Sequence, residues 1–293
     1  MQINLIDFYA KDGTLLNGFI KSCGSQKILI ATHGMSSNCF KEREKIIANY
    51  CIENKIDFLG YNNRGSELVK YMRKAVNGEE KKFLAGTSYE DVLEGYFDIV
   101  GAIEKAISLG YNEIYLQGHS LGSTKTLYTY NKLKEEKSEL VKYIKGIILL
   151  SLVDIPRALK IYNAEEYDNF FKYAEQKEND GNLNDLMPLK SFIHPISIKS
   201  YLRYTKYNNE FDFAKYSEDT EFKALNNIEI PLFMRWGNNY EMIEQKANEL
   251  VSKLNECIEN ENKDINFIDG ADHGYTGKEE ILAEQIMHFL NKI

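Results

Sequence analysis

Short apolar runs that do not alternate with polar residues recur along this chain, with helix-like segments between them. The clearest are Lys27-Ile28-Leu29-Ile30-Ala31, Ile56-Asp57-Phe58-Leu59-Gly60-Tyr61, Glu113-Ile114-Tyr115-Leu116-Gln117 and Gly146-Ile147-Ile148-Leu149-Leu150-Ser151. A strand that is apolar on both faces must be covered on both, which is the condition of a parallel sheet packed between helices. The intervening segments fit this condition. Residues 42–53 have helical spacing, and 88–108 carry an apolar stripe through Val92, Tyr96, Ile99 and Ile103. Thr87 and Glu90 have the spacing of a capping box at the start of that helix. Near the amino terminus, 3–9 and 16–21 flank Asp12-Gly13 as the strands of a hairpin would. The alternation resumes after residue 220 with a strand at 228–236, a helix from about Glu241, a strand at 264–268 and a last helix at 279–290. An α/β architecture follows, with a mostly parallel sheet and helices on both faces.

Residues 155–220 interrupt the rhythm. This stretch holds twelve aromatic residues, denser than the 12% of the whole chain, interleaved with charges and broken by the loop-like Gly181-Asn182-Leu183-Asn184. It reads as a helical insertion over the carboxyl edge of the sheet, with residues 1–154 and 221–293 forming the core. Its aromatics can line a substrate pocket, pack against the core, or do both. A net charge of -8 argues against a nucleic-acid partner. No apolar run has the length to span a bilayer, and residues 1–20 lack the basic start and apolar stretch of a signal peptide. Cys23, Cys39, Cys51 and Cys257 have neither metal-type nor redox-type spacing, so reduced thiols and a cytoplasmic location are expected.

The run Gly118-His119-Ser120-Leu121-Gly122 fits Gly-x-Ser-x-Gly. Alone the pattern is weak, and an ordinary glycine-rich strand-to-helix loop would also match it. Here a buried strand precedes it and a helix start follows it, the context that puts a serine on a sharp turn with its hydroxyl exposed. The flanking glycines are needed where neighbouring chain passes too close for side chains.

A serine hydroxyl needs a base to take its proton during attack. Of His33, His119, His194, His273 and His288, the best placed is His273, in the loop Asp269-Gly270-Ala271-Asp272-His273-Gly274 after the last strand. Loops at the carboxyl ends of parallel strands converge, so this histidine can face Ser120. His119 is expected to point away along the turn, and His33 to brace its own loop. Acyl transfer also needs two donors for an oxyanion. The backbone N–H of Leu121, after the nucleophile, is one. The loop Thr32-His33-Gly34-Met35 after an early strand offers the other through the Met35 N–H.

This order of elements resembles the α/β-hydrolase superfamily: a strand ending in His33-Gly34, a strand ending in Asn63-Arg64-Gly65, a helix, Gly-His-Ser-Leu-Gly, an insertion, a late acid and a last histidine. The resemblance covers essentially the whole chain. It implies an eight-stranded mostly parallel sheet, a cap inserted after the sixth strand, and esterase-like chemistry without metal or cofactor. Gly86-Thr87-Ser88-Tyr89-Glu90 and the stretch from His194-Pro195 to Tyr201 are similar to a serine-hydrolase group that includes siderophore-ester hydrolases. In the superfamily the acid usually follows the seventh strand in a Gly-x-x-Asp pattern. In Trp236-Gly237-Asn238-Asn239-Tyr240-Glu241, Tyr240 stands where that Asp would be. The acid is then Glu241, one residue on, or Asp154 after the sixth strand, or it is absent and a Ser–His dyad remains. The expected activity is a carboxylesterase-like serine hydrolase acting on a small or medium ester or thioester. An amidase or peptidase on the same residues, or a hydrolase-like binding protein with impaired turnover, are the alternatives.

Overall fold

The computed structural model describes residues 2–243 and 245–293. In chain order the elements are β1 (Gln2–Tyr9), β2 (Leu15–Ser22), β3 (Lys27–Thr32), α1 (Glu42–Glu53), β4 (Asp57–Asn62), β5 (Lys70–Val76), β6 (Glu79–Ala85), α2 (Gly95–Ser108), β7 (Glu113–His119) and α3 (Leu121–Glu135). They continue with β8 (Ile144–Leu150), α4 (Ile155–Asn163), α5 (Tyr167–Asn179), α6 (Ile198–Thr205), α7 (Lys223–Asn226), β9 (Leu232–Gly237), α8 (Ala247–Cys257), β10 (Lys263–Ile268) and α9 (Glu279–Leu290). Eight strands form one sheet in the order β1-β2-β4-β3-β7-β8-β9-β10. The pairs β1–β2 and β2–β4 are antiparallel and every later pair is parallel. Strand β7, which delivers Ser120, lies inside the sheet between β3 and β8.

The unbroken apolar runs fill both faces of this sheet. Along β7, Ile114 and Leu116 pack on the side of α2, α3 and α8, whereas Tyr115 points to the side of α1 and α9. Strand β8 divides in the same way, with Ile147 and Leu149 against Ile148 and Leu150. All seven are essentially inaccessible to solvent. Successive side chains leave opposite faces, so a strand covered on both sides favours apolar residues at nearly every position, although β7 also buries Gln117.

The chain between β8 and β9 carries α4 to α7. Its Tyr201, Tyr204, Phe211 and Tyr216 are buried in the same apolar core as α2 and α3, and the Tyr216 hydroxyl donates to the Leu152 carbonyl at 2.7 Å. Tyr162 borders a cavity beside Ser120, as does Phe192, which is also part of that core. Among the described residues no helix is long and apolar enough to cross a membrane.

Three local features depart from the sequence reading. The β5–β6 hairpin was not anticipated, because its charged residues mask any apolar alternation. Its turn, Asn77-Gly78, has φ of 51° and 81° and was legible as a two-residue hairpin signal. The helix expected from residue 241 starts at Ala247. The helix expected over 88–108 begins only at Gly95, after a 3-10 turn at Val92–Glu94 capped by Asp91.

The Thr87–Glu90 capping box therefore does not form. Thr87 accepts from the Ser36 N–H at 2.7 Å and donates to the Gly65 carbonyl at 2.6 Å. Glu90, buried, accepts from Lys125 Nζ at 2.6 Å, also buried. Both side chains are thus committed to partners distant in sequence, and removing one member of the buried pair would strand an uncompensated charge. Lys125→Met is expected to lower unfolding free energy by about 3–5 kcal/mol in urea denaturation, and Lys125→Met with Glu90→Leu to recover much of it. Equal losses in the single and double variants would show that the pair does not set this cost.

Candidate active site

Four loops converge at the carboxyl ends of the parallel strands β3, β7, β9 and β10. Ser120 follows β7 directly, with φ 55° and ψ −126°, a conformation that costs a non-glycine residue of order 1–3 kcal/mol and is held by its surroundings. The surroundings are tight. A Cβ at Gly118 would lie 2.4 Å from the Gly122 carbonyl oxygen, and one at Gly122 would lie 2.2 Å from the Thr32 carbonyl oxygen. The Ser120 N–H donates to the Leu150 carbonyl at 2.8 Å, tying the turn to β8. Both glycines of the motif thus have the steric role inferred for them.

His273 sits in the loop after β10. Its Nε2 lies 2.9 Å from Ser120 Oγ and its Nδ1 lies 2.6 Å from Glu241 Oε2. A carboxylate only accepts, so Nδ1 carries the proton and Nε2 is left to accept from the serine hydroxyl. The Glu241 side chain is buried, and its second oxygen accepts from the Gly237 N–H and from the Ser151 hydroxyl, each at 2.7 Å. The structure therefore brings Ser120, His273 and Glu241 into one hydrogen-bonded chain. The tyrosine at the expected acid position is turned out: Tyr240 is 71% exposed. Asp154 is not brought to that chain but is held by Arg157 at 3.0 Å, at the start of α4.

The sequence reading does not name Ser151 at this site, and it gives His119 another orientation. Ser151, at the end of β8 with φ 46°, bridges Glu241 and the Tyr275 hydroxyl, which is 2.9 Å away and itself donates to the Arg235 carbonyl at 2.8 Å. Nothing in the local sequence marks it apart from its position at a strand end. His119 does not point away along the turn. It is buried, its ring centroid is 5.1 Å from that of His273, and its Nε2 donates to the His273 carbonyl at 2.7 Å. Burial holds its pKa well below the usual imidazole range, so it stays neutral and holds the His273 loop through that bond.

His33 braces the β3 loop, as expected. Its Nδ1 donates to the Gly34 carbonyl at 2.8 Å and its Nε2 accepts from the Asn63 N–H at 3.1 Å. Burial lowers its pKa to about 3. Gly34 lets this loop pack on the serine, since a Cβ there would lie 2.8 Å from Ser120 Cβ. Met35 and Leu121 then border the same cavity as Ser120 and His273. His194 accompanies Phe192 in the α5–α6 connection, and His288 lies on an exposed position of α9. Among the described residues no cluster of three or more His, Cys, Asp or Glu side chains is arranged to hold a metal ion.

Solved structures with this architecture are numerous. The α/β hydrolase GrgF from Penicillium sp. sh18 superposes with a TM-score of 0.69 at 15% identity, over 100% of this chain and 99% of its own. Est1E from Butyrivibrio proteoclasticus with ferulic acid bound gives 0.62 at 15% identity, over 97% and 98%. The Pyrococcus furiosus esterase Pf2001 gives 0.60 at 15% identity, over 99% and 92%. These likenesses establish an α/β-hydrolase fold. No curated protein matches the sequence. A family model described as "Protein of unknown function (DUF1749)" matches residues 95–291, a span that includes Ser120, Glu241 and His273. On that match, carried by two thirds of its length, the chain belongs to the DUF1749 family of α/β-hydrolase-fold proteins.

Proposed function

We propose that the protein is a serine hydrolase that cleaves a carboxylic ester or thioester through an acyl-enzyme on Ser120. The observation that carries this reading is the continuous hydrogen-bonded chain from Glu241 through His273 to Ser120 at the wall of an apolar cavity of about 370 Å³. Ser120 Oγ attacks the carbonyl carbon while His273 Nε2 takes the hydroxyl proton, and the carbonyl electron pair moves onto oxygen. The Met35 and Leu121 N–H groups are the donors for that oxyanion. Collapse of the intermediate breaks the bond to the leaving oxygen or sulfur, which receives the proton from His273. A water molecule then repeats the sequence: its proton passes to Nε2, its oxygen bonds the acyl carbon, and the free acid leaves as Ser120 regains its proton. Glu241 orients the imidazole and stabilises its cation throughout. Residues 155–220 act in this scheme as a cap that walls the substrate cavity, over a core of 1–154 and 221–293. Support for a hydrolase also comes from the esterase among the similar structures.

A fluorophosphonate probe with peptide mapping tests the assignment. The expected result is a single adduct on Ser120, with hydrolysis of nitrophenyl esters faster than of the matching anilides. Folded protein that takes no label would be a hydrolase-shaped binding protein, and faster anilide cleavage would make it an amidase.

A further inference from the structure

Ser120 and His273 stand at the border of two chambers of opposite chemistry. On one side lies the apolar cavity of about 370 Å³, where α4 contributes Ala158, Leu159, Ile161 and Tyr162, and Ile193 and Met242 face them. Ile161, Tyr162 and Ile193 are more than half exposed at its mouth, so the apolar surface continues outward. On the other side lies a groove of about 420 Å³ bordered by Ser37, Lys41, Glu42, Arg43, Thr276 and Glu279. Arg43 is 5% exposed, donates to Glu44 at 2.5 Å, and its Nε has no partner among the described residues. Lys41 and Arg43 stand against Glu42 and Glu279 at its border, and Arg43 is already neutralised by buried Glu44, so the groove carries no net positive charge to hold an anion. Ser37, Thr276 and the free Arg43 Nε offer the donors and acceptors that suit an occupant rich in hydroxyl groups.

Resting on the serine-hydrolase reading above, we infer that the substrate is an ester of two unlike halves: an aliphatic acyl chain of medium length in the α4 chamber, and a polyhydroxylated alcohol in the groove over Arg43. Attack by Ser120 forms the acyl–Oγ bond and breaks the bond to the alcohol oxygen, which leaves through the groove with the proton carried by His273. The acyl chain stays in the apolar chamber until water releases it. A cavity of this size is at the small end for ligand sites, which limits the chain before it must run out over Ile161 and Ile193.

The experiment varies one half at a time. With nitrophenyl as the constant leaving group, kcat/KM is expected to rise roughly fourfold per methylene from butyrate to octanoate. With octanoate as the constant acyl group, the glyceryl ester is expected to outperform the hexyl ester roughly tenfold. Ala158→Leu should cut the octanoate-to-butyrate ratio at least tenfold without changing the glyceryl-to-hexyl ratio. Ile161→Ser, at an exposed position, should lower the same acyl ratio if the larger side chain at 158 impairs folding. Lys41→Leu with Thr276→Leu, both on the surface, should abolish the glyceryl advantage and spare the acyl ratio. A preference for acetate, a preference for the hexyl ester, or α4 substitutions that alter only alcohol choice would each overturn the inference. Fluorophosphonate labelling of every variant separates the two levels. Normal Ser120 labelling with the wrong selectivity overturns the two-chamber inference alone, and absent labelling of the folded protein overturns both.

Discussion

Ser120→Ala is expected to lower kcat for ester hydrolysis by roughly a millionfold, and His273→Ala by a similar factor. The double variant should be no slower than either single one. A nucleophile without its base, and a base without its nucleophile, leave the same residue of catalysis, which comes from oxyanion donors and binding and amounts to roughly 10³–10⁴ over water. The 2.9 Å contact between Ser120 Oγ and His273 Nε2 is what makes the two act as one unit. Steady-state kinetics on all three variants measure this directly, and losses that multiply would show that the residues work separately. Stability should hardly respond to Ser120→Ala. Alanine leaves no cavity at this turn and forfeits one hydrogen bond worth about 1 kcal/mol, which chemical denaturation would register.

Glu241→Gln is expected to cost about 10⁴ in kcat. Glutamine has the size to keep the bonds from Gly237 and Ser151 through its oxygen. It then turns an NH₂ toward His273 Nδ1, where the carboxylate oxygen now accepts at 2.6 Å. Two donors cannot face each other, so the imidazole shifts its proton to Nε2 and can no longer accept from Ser120. A loss of that size is about 5.5 kcal/mol of barrier, well above the roughly 1 kcal/mol of an ordinary hydrogen bond. Asp154→Asn should change kcat less than tenfold. Its effect should fall on stability, because Arg157 would lose one of its two carboxylate partners, Asp154 and Asp212. The opposite ranking in kinetics would move the acid to the end of β8, and small effects from both would leave a dyad.

The acid also shows where a one-dimensional reading stops. Residue spacing after β9 puts Tyr240 at the expected position, yet the chain turns Tyr240 outward and Glu241 inward. That choice depends on the Gly237 N–H at the end of β9 and on the Ser151 hydroxyl and His273 imidazole, and these last two meet Glu241 only once β8, β9 and β10 are paired. His119 is a similar case. Its place next to Ser120 suggested a side chain directed away from the chemistry, whereas the loop after β10 supplies a carbonyl for it to bond. Thr87 and Glu90 show a local rule overridden: each had the spacing of a cap, and each found a partner distant in sequence, Gly65 and Lys125.

Several features are written in neighbouring residues. Apolar runs over 27–31, 113–117 and 146–151 demand cover on both faces, and that alone makes a parallel sheet between helices. The two glycines around Ser120 follow from a strand-to-helix turn too crowded for side chains, and a histidine after the last strand follows from the convergence of loops at strand ends. Tertiary structure alone decided which carboxylate meets His273, which polar groups hold it there, and that an apolar chamber and a polar groove share one serine. The physical reason is common to all three. Ser151 and His273 lie 90 and 32 residues from the Glu241 they bond, and the two chambers draw their walls from both halves of the chain, so no local periodicity records which groups will meet.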